Sequence, residues 1–200
     1  VAKLYFRHGT MDSAKSLNLL AVAHNYRQQG KRVALLKPDL DDRFGGGVIA
    51  SRAGLEKPAD LLLGPDSQLD PDFFEGLDCV LVDEAQFLAP RIIEQLRVLT
   101  RTHNVPVICY GLRTDFRTAL FPASARLFEL ADSIEEIKVT CQYCNRKAIF
   151  NMRLANGEPV GEGAQIQIGA NESYAPVCHA CYEQRLPGVI CPEPPGSPTN

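Results

Sequence analysis

Gly9-Thr10-Met11-Asp12-Ser13-Ala14-Lys15-Ser16 follows the apolar run Leu4-Tyr5-Phe6 and leads into a helical pattern. A strand, a turn opened by glycine, a Lys-Ser pair and a helix form the context in which the P-loop pattern G-x-x-x-x-G-K-[ST] holds phosphate. Backbone N–H groups of such a turn and of the helix start converge on one concavity and attract an anion. Lys15 is placed to reach terminal phosphates, and the Ser16 hydroxyl to ligate Mg²⁺. Ala14 stands where the pattern has its second glycine, and its methyl is expected to crowd the phosphates. On these eight residues alone, an ordinary strand-to-helix turn is the competing reading.

Outward from the turn, strands and helices alternate. Lys15 to Gln29 carries a helical stripe of Leu17, Leu20, Val22, Ala23 and Tyr26, and Gly30 is a natural C-terminal stop. Val33-Ala34-Leu35-Leu36 suits a buried parallel strand. Asp41-Asp42-Arg43-Phe44 and Gly45-Gly46-Gly47 then read as a mobile charged loop at the sheet edge where α/β proteins bind ligands. Residues 58–76 are rich in Pro, Asp and Gly and give no clear element. Cys79-Val80-Leu81-Val82 is a buried strand ending in Asp83-Glu84-Ala85-Gln86-Phe87. Pro90 can open a helix with Ile92, Ile93, Leu96 and Leu99 on one face. Val105 to Tyr110 is a further strand, Phe116 to Leu130 is partly helical, and Ile134 to Val139 is expected as a last core strand. The alternation predicts an α/β domain with a mainly parallel sheet covered on both faces.

Asp83 is the natural partner of the turn. A carboxylate at the carboxyl end of a buried strand can hold Mg²⁺ beside the phosphates. Glu84, the next residue, then lies where it can take the proton of an attacking alcohol or water. The alternative for Glu84 is an ion pair with a nearby Lys or Arg, and the two phosphate motifs together favour the base.

The chain has 200 residues, 45% hydrophobic and 22% charged, which suffices for one domain with a real core and a small appendage. A net charge of −3 gives no general drive toward nucleic acid or an anionic membrane. No apolar run approaches a membrane-spanning length and no signal peptide is visible, so a cytoplasmic protein is expected. Residues 1–140 read as the α/β domain, 141–186 as a small second domain, and the Pro- and Gly-rich residues 187–200 as a disordered tail. Cys141-Gln142-Tyr143-Cys144 and Cys178-His179-Ala180-Cys181 bracket the second domain. Two close thiolate pairs brought together make a tetrahedral site suited to Zn²⁺, structural because no coordination position stays open. No thioredoxin-like pattern supports redox dithiols instead. His179 reads as a surface residue, Cys79 and Cys109 as small core hydrophobes, and Cys191 has no assignment. Within the bracket, Gln165-Ile166-Gln167-Ile168-Gly169 suggests an extended segment whose main chain can meet a planar substrate.

Taken in order, these motifs resemble one family, the zinc-containing thymidine kinases of bacteria and the animal cytosol. The resemblance runs from about Lys3 to Tyr182 and includes Tyr110-Gly111-Leu112-Arg113-Thr114-Asp115-Phe116-Arg117 and Tyr174. It implies a RecA-like P-loop core with a small zinc ribbon carrying a lasso loop, assembled as a homotetramer. The implied reaction is ATP-dependent 5′-phosphorylation of thymidine, with feedback by dTTP. By the same resemblance, Gly9, Thr10, Met11, Asp12, Ser13, Ala14, Lys15 and Ser16 hold the ATP phosphates, with Asp41, Arg43, Asp83 and Gln86 nearby and Glu84 as base. Met11, Phe87, Leu112, Phe116 and Phe121 match residues lining the base pocket. Gln165, Ile166, Gln167, Ile168 and Gly169 match the lasso that reads the thymine edge, and Tyr174 a nucleoside contact. Cys141, Cys144, Cys178 and Cys181 match the zinc ligands. Ala14 departs from the family's usual glycine, which bears on ATP affinity. The rival is a nucleic-acid-dependent ATPase with a zinc ribbon; the acidic balance and the absence of a basic aromatic stripe speak against it.

Overall fold

A computed structural model describes residues 1–40, 47–165 and 172–190. The larger unit is built on β1 (Leu4–His8), α1 (Lys15–Gln28), β2 (Val33–Pro38), the hairpin β3 (Val48–Ala50) and β4 (Glu56–Pro58), and β5 (Leu61–Leu63). It continues with β6 (Cys79–Val82), α2 (Pro90–Thr102), β7 (Val107–Gly111), α3 (Pro122–Leu130) and β8 (Ser133–Glu136). Six strands form one sheet in the order β5-β2-β6-β7-β1-β8, and every paired neighbour in it runs parallel. That is the RecA-like α/β arrangement, with the turn after β1 and the acidic pair after β6 at the same carboxyl edge.

The near-continuous apolar strands follow from burial on both faces. Side chains alternate in β2 and β6. Leu35 and Leu81 face α1 through Leu19, Leu20 and Ala23. Ala34, Leu36, Val80 and Val82 face the opposite layer, where Ile92, Ile93 and Leu96 of α2 meet Ala123 and Leu127 of α3. Pro90 and Pro122 open their helices, where a missing N–H removes no hydrogen bond. Each fully buried Leu or Ile here contributes about 1.5–3 kcal/mol.

One expectation needs correction. The last strand is an edge strand, not a core one: β8 ends at Glu136, pairs only with β1 among the described strands, and leaves Ile134 44% exposed. An edge strand packs on one neighbour only, so an Ile can stay half in water. The segment from Phe116 to Leu130 is partly helical, as expected, with its helix from Pro122; before it, Asp115 closes a turn by accepting from the N–H groups of Arg117 and Ala119 at 2.9 and 3.0 Å.

The smaller unit has an antiparallel sheet of β9 (Phe150–Ala155), β10 (Glu158–Val160) and β11 (Glu172–Val177), ordered β10-β9-β11, followed by α4 (His179–Arg185). Met152, Ala175, Val177 and Tyr182 form its core with Cys141 and Cys178. Residues 187–190 do not behave as a tail: Val189 and Ile190 pack against this core, and the Gly188 N–H donates to Glu183 at 3.0 Å. Among the described residues, no helix is long and apolar enough to cross a membrane.

Candidate active site

The turn between β1 and α1 is shaped by sterics. A side chain on Gly9 would lie 2.6 Å from the Ile137 carbonyl oxygen, so only glycine fits. Asp12 and Ala14 both adopt left-handed backbone, at φ 62° and 59°. Ala14 thus takes the conformation that the pattern's glycine would take, at a cost of about 1–2 kcal/mol for an L-residue. Its methyl changes the energy of the turn and leaves the left-handed bend in place. Ala14 also precedes α1 without a side-chain cap, so the first N–H groups of the helix remain available to an anion. The Lys15 ammonium is buried and donates to the Thr10 carbonyl at 2.7 Å, with Gly9 O and Ser13 Oγ at 3.4 Å.

Asp83 meets the turn at Ser16. Ser16 Oγ donates to Asp83 Oδ2 at 2.9 Å, while the buried Oδ1 has no hydrogen-bond partner. Burial, then the neighbouring charge of Glu84, pushes the Asp83 carboxyl up to about 7 despite the Ser16 hydrogen bond. A buried carboxylate with a spare oxygen next to a hydroxyl is a donor set that fits Mg²⁺. Glu84 has left-handed backbone at φ 48°, which turns it out of the strand. Gln86 donates to Glu84 Oε2 at 2.5 Å and accepts from the Leu112 N–H at 3.0 Å, so one amide ties the glutamate to the end of β7.

A cavity of about 470 Å³ opens between these elements. Met11, Lys15, Ser16, Glu84 and Leu112 line it, together with Arg52 at the tip of the β3–β4 hairpin. Arg52 forms an ion pair with Asp12. The aromatic residues expected at the base pocket pack against one another and against the smaller unit. Phe121 is buried and meets Phe87 edge-on with ring centres 5.8 Å apart. Phe116 is 1% exposed, beneath the Arg153 guanidinium at 4.6 Å, and its carbonyl accepts from the buried Tyr182 hydroxyl at 2.6 Å. Phe87, Phe116 and Phe121 are not among the described residues that line this particular cavity. Gln165 donates to Asp115 Oδ2 at 3.0 Å, which ties the start of the lasso segment to the larger unit. Tyr174 is half-buried on β11, opposite Arg153 on β9. Asp41, Arg43, Ile166, Gln167, Ile168, Gly169 and Cys191 lie outside the described residues.

The four bracketing cysteines converge. Their sulfur atoms all lie within 4.8 Å of one another, and Cys144 and Cys178 Sγ are 3.6 Å apart. Four thiolates at about 2.3 Å from a tetrahedral Zn²⁺ sit about 3.8 Å apart, so the cluster fits that ion. Burial opposes ionisation of Cys141, but N–H donors from Cys178 and Tyr143 outweigh it and bring the thiol down to about 6. His179 is exposed at the start of α4, and Cys79 and Cys109 are buried in strands.

Three site residues escaped the sequence reading: Arg52, Asn151 and Arg153. Phe150-Asn151-Met152-Arg153-Leu154 alternates apolar and polar residues, the pattern of a strand with one polar face. That face packs on the larger unit. Arg153 is 1% and Asn151 4% exposed, and Asn151 Oδ1 accepts from the Met11 N–H at 2.7 Å. Nothing local in the sequence marks that face as covered.

Comparison with known proteins agrees with this geometry. Residues 2–182 match the family described as "Thymidine kinase". Thymidine kinase of Streptococcus pyogenes serotype M3 is 46% identical over 186 residues, covering 91% of this chain and 97% of that protein. That of Lactococcus lactis subsp. lactis is 46% identical over 187 residues, with the same coverage of 91% and 97%. That of Lactobacillus acidophilus is 43% identical over 200 residues, 95% of this chain and 100% of that protein. A match across both units, with the acidic pair facing the turn, leaves one conclusion: the chain belongs to the thymidine kinase family.

Proposed function

We propose that the protein transfers the γ-phosphate of ATP to the 5′-hydroxyl of thymidine, giving dTMP and ADP. The observation that carries this reading is the meeting of Glu84 with Lys15 and Ser16 at one cavity, with Asp83 held on Ser16. The 5′-oxygen attacks the γ-phosphorus, its proton passes to the Glu84 carboxylate, and the bond to the β–γ bridging oxygen breaks to release ADP. Gln86 orients Glu84 for that proton. Phosphoryl transfer asks mainly for positioning and charge stabilisation. The N–H groups of residues 9–16 and the Lys15 ammonium provide both, once Lys15 exchanges the Thr10 carbonyl for phosphate oxygens. Ser16 and Asp83 would hold Mg²⁺, which when bound neutralises charge on the β- and γ-phosphates.

Met11 and Leu112 form the apolar wall toward the base, and the backbone of residues 165–169 reads the thymine edge. Contact with the 5-methyl group favours thymidine modestly, whereas a mismatched polar edge leaves donors unpaired and is rejected more strongly. Asp41 and Arg43 act near the 5′ end and the phosphates, and Tyr174 contacts the nucleoside. The four cysteines hold a structural Zn²⁺ that fastens both ends of the smaller unit. This reading includes a P-loop, a homotetramer working in the cytoplasm, and feedback by dTTP. The test is product formation from ATP, Mg²⁺ and thymidine: dTMP should appear in step with ADP. ADP formation stimulated by DNA, without dTMP, would refute it.

A further inference from the structure

We propose that Asn151, carried by the smaller unit, is a positioning residue that holds the phosphate turn in its strained shape. The inference rests on the reading of that turn as the ATP site. Asp12 and Ala14 are both left-handed within three residues, and neither is glycine. Strained backbone persists only where its surroundings over-determine it.

The contacts that hold this turn differ in permanence. The Lys15 bonds to Gly9 O, Thr10 O and Ser13 Oγ belong to a side chain that must turn toward phosphate during the reaction. The Arg52–Asp12 pair comes from an arginine whose side chain is 70% exposed, where ion pairs are weak. The Met11 N–H to Asn151 Oδ1 bond, at 2.7 Å, depends on neither the ligand nor a mobile side chain. Met11 lies directly before Asp12, so fixing its N–H fixes the entry to the strained stretch.

Asn151 is itself well fixed. It is 4% exposed on β9, the central strand of the small sheet, and pairs with Pro176 on β11, two residues before Cys178. A polar acceptor on a rigid strand orients its partner better than one on a loop. The smaller unit therefore acts on the phosphate-donor side of the site as well as on the nucleoside side. Ala14 makes this chain dependent on the clamp, because glycine would enter the left-handed region without help.

The test is a double-mutant cycle on the full-length protein, read as MgATP affinity by calorimetry. Asn151→Ala should weaken MgATP binding about 5–10-fold, the value of one hydrogen bond. In an Ala14→Gly background the same change should cost no more than about twofold, since glycine needs no external hold. Equal loss in both backgrounds, or a loss confined to thymidine affinity, would overturn the proposal. Hydrogen exchange of the Met11 amide in the unliganded wild type gives a second measurement, independent of whether the variants fold. A protected amide supports the clamp, and exchange at the rate of an open loop overturns it. Failure of the wild type to bind MgATP at all would refute the ATP-site reading, while the Met11 amide would still report on the clamp.

Discussion

Replacing Ala14 with glycine tests whether the turn carries real strain. Ala14 sits at φ 59°. Relief of the left-handed cost for an L-residue gains about 1–2 kcal/mol. Against this, glycine raises the entropy of the unfolded chain, which costs about 0.4–1 kcal/mol. The net expectation is a stabilisation of about 1 kcal/mol, a rise in Tm of roughly 2–4 °C for a chain of this length. The assay is thermal and urea unfolding of the unliganded protein, with MgATP affinity measured in parallel. Affinity should change little, because alanine already holds the backbone that glycine would adopt. An Ala14→Gly variant that is less stable than the parent would refute the reasoning, since the left-handed residue would then carry no strain to relieve.

Other expectations concern the rest of the site and its frame. Asp83→Asn should raise the Tm of the metal-free protein, because it removes a buried carboxylate with an unpartnered oxygen, and should sharply raise the Mg²⁺ concentration needed for turnover; thermal melts and a Mg²⁺ titration check both. Cys178→Ser should abolish stoichiometric zinc, of which one equivalent per chain is expected, and loosen β9 and β11 while the large sheet stays folded; metal analysis and hydrogen exchange read this directly. His8 is held neutral, with a pKa below its ordinary 6.5, by burial and then by Arg113. The unfolded chain therefore takes up the proton first, so this contribution to stability is present above pH 6.5 and is lost as pH falls through the folded-state value. Urea unfolding at a series of pH values should show that acid limb, and His8→Gln should flatten it.

What could be read in the sequence was local. Residues 9–16, the Asp83-Glu84 pair and the two cysteine pairs are contiguous strings, and each string fixes its own chemistry through spacing along the backbone. Burial on both sheet faces likewise shows as unbroken apolar strands. The clamp at Asn151 was not readable, because its partner Met11 lies on a separate unit and nothing local distinguishes a polar strand face that meets water from one that meets another unit. Phe116 shows the same limit: its place in the chain gives no sign that it packs under Arg153 of the smaller unit. The edge position of β8 also follows from pairing rather than from composition, since three apolar residues in the six from Ile134 to Val139 do not tell an edge strand from a core one.

The central claim is that Glu84 takes the proton of the thymidine 5′-hydroxyl as the γ-phosphate of ATP is transferred. Single-turnover formation of dTMP by the wild type and by Glu84→Gln, with both substrates bound to saturation, tests it most directly. The account predicts unchanged binding of ATP and thymidine and a rate lower by about 10²–10⁴-fold, the range for a positioned base. A Glu84→Gln enzyme that forms dTMP at the wild-type rate would contradict it.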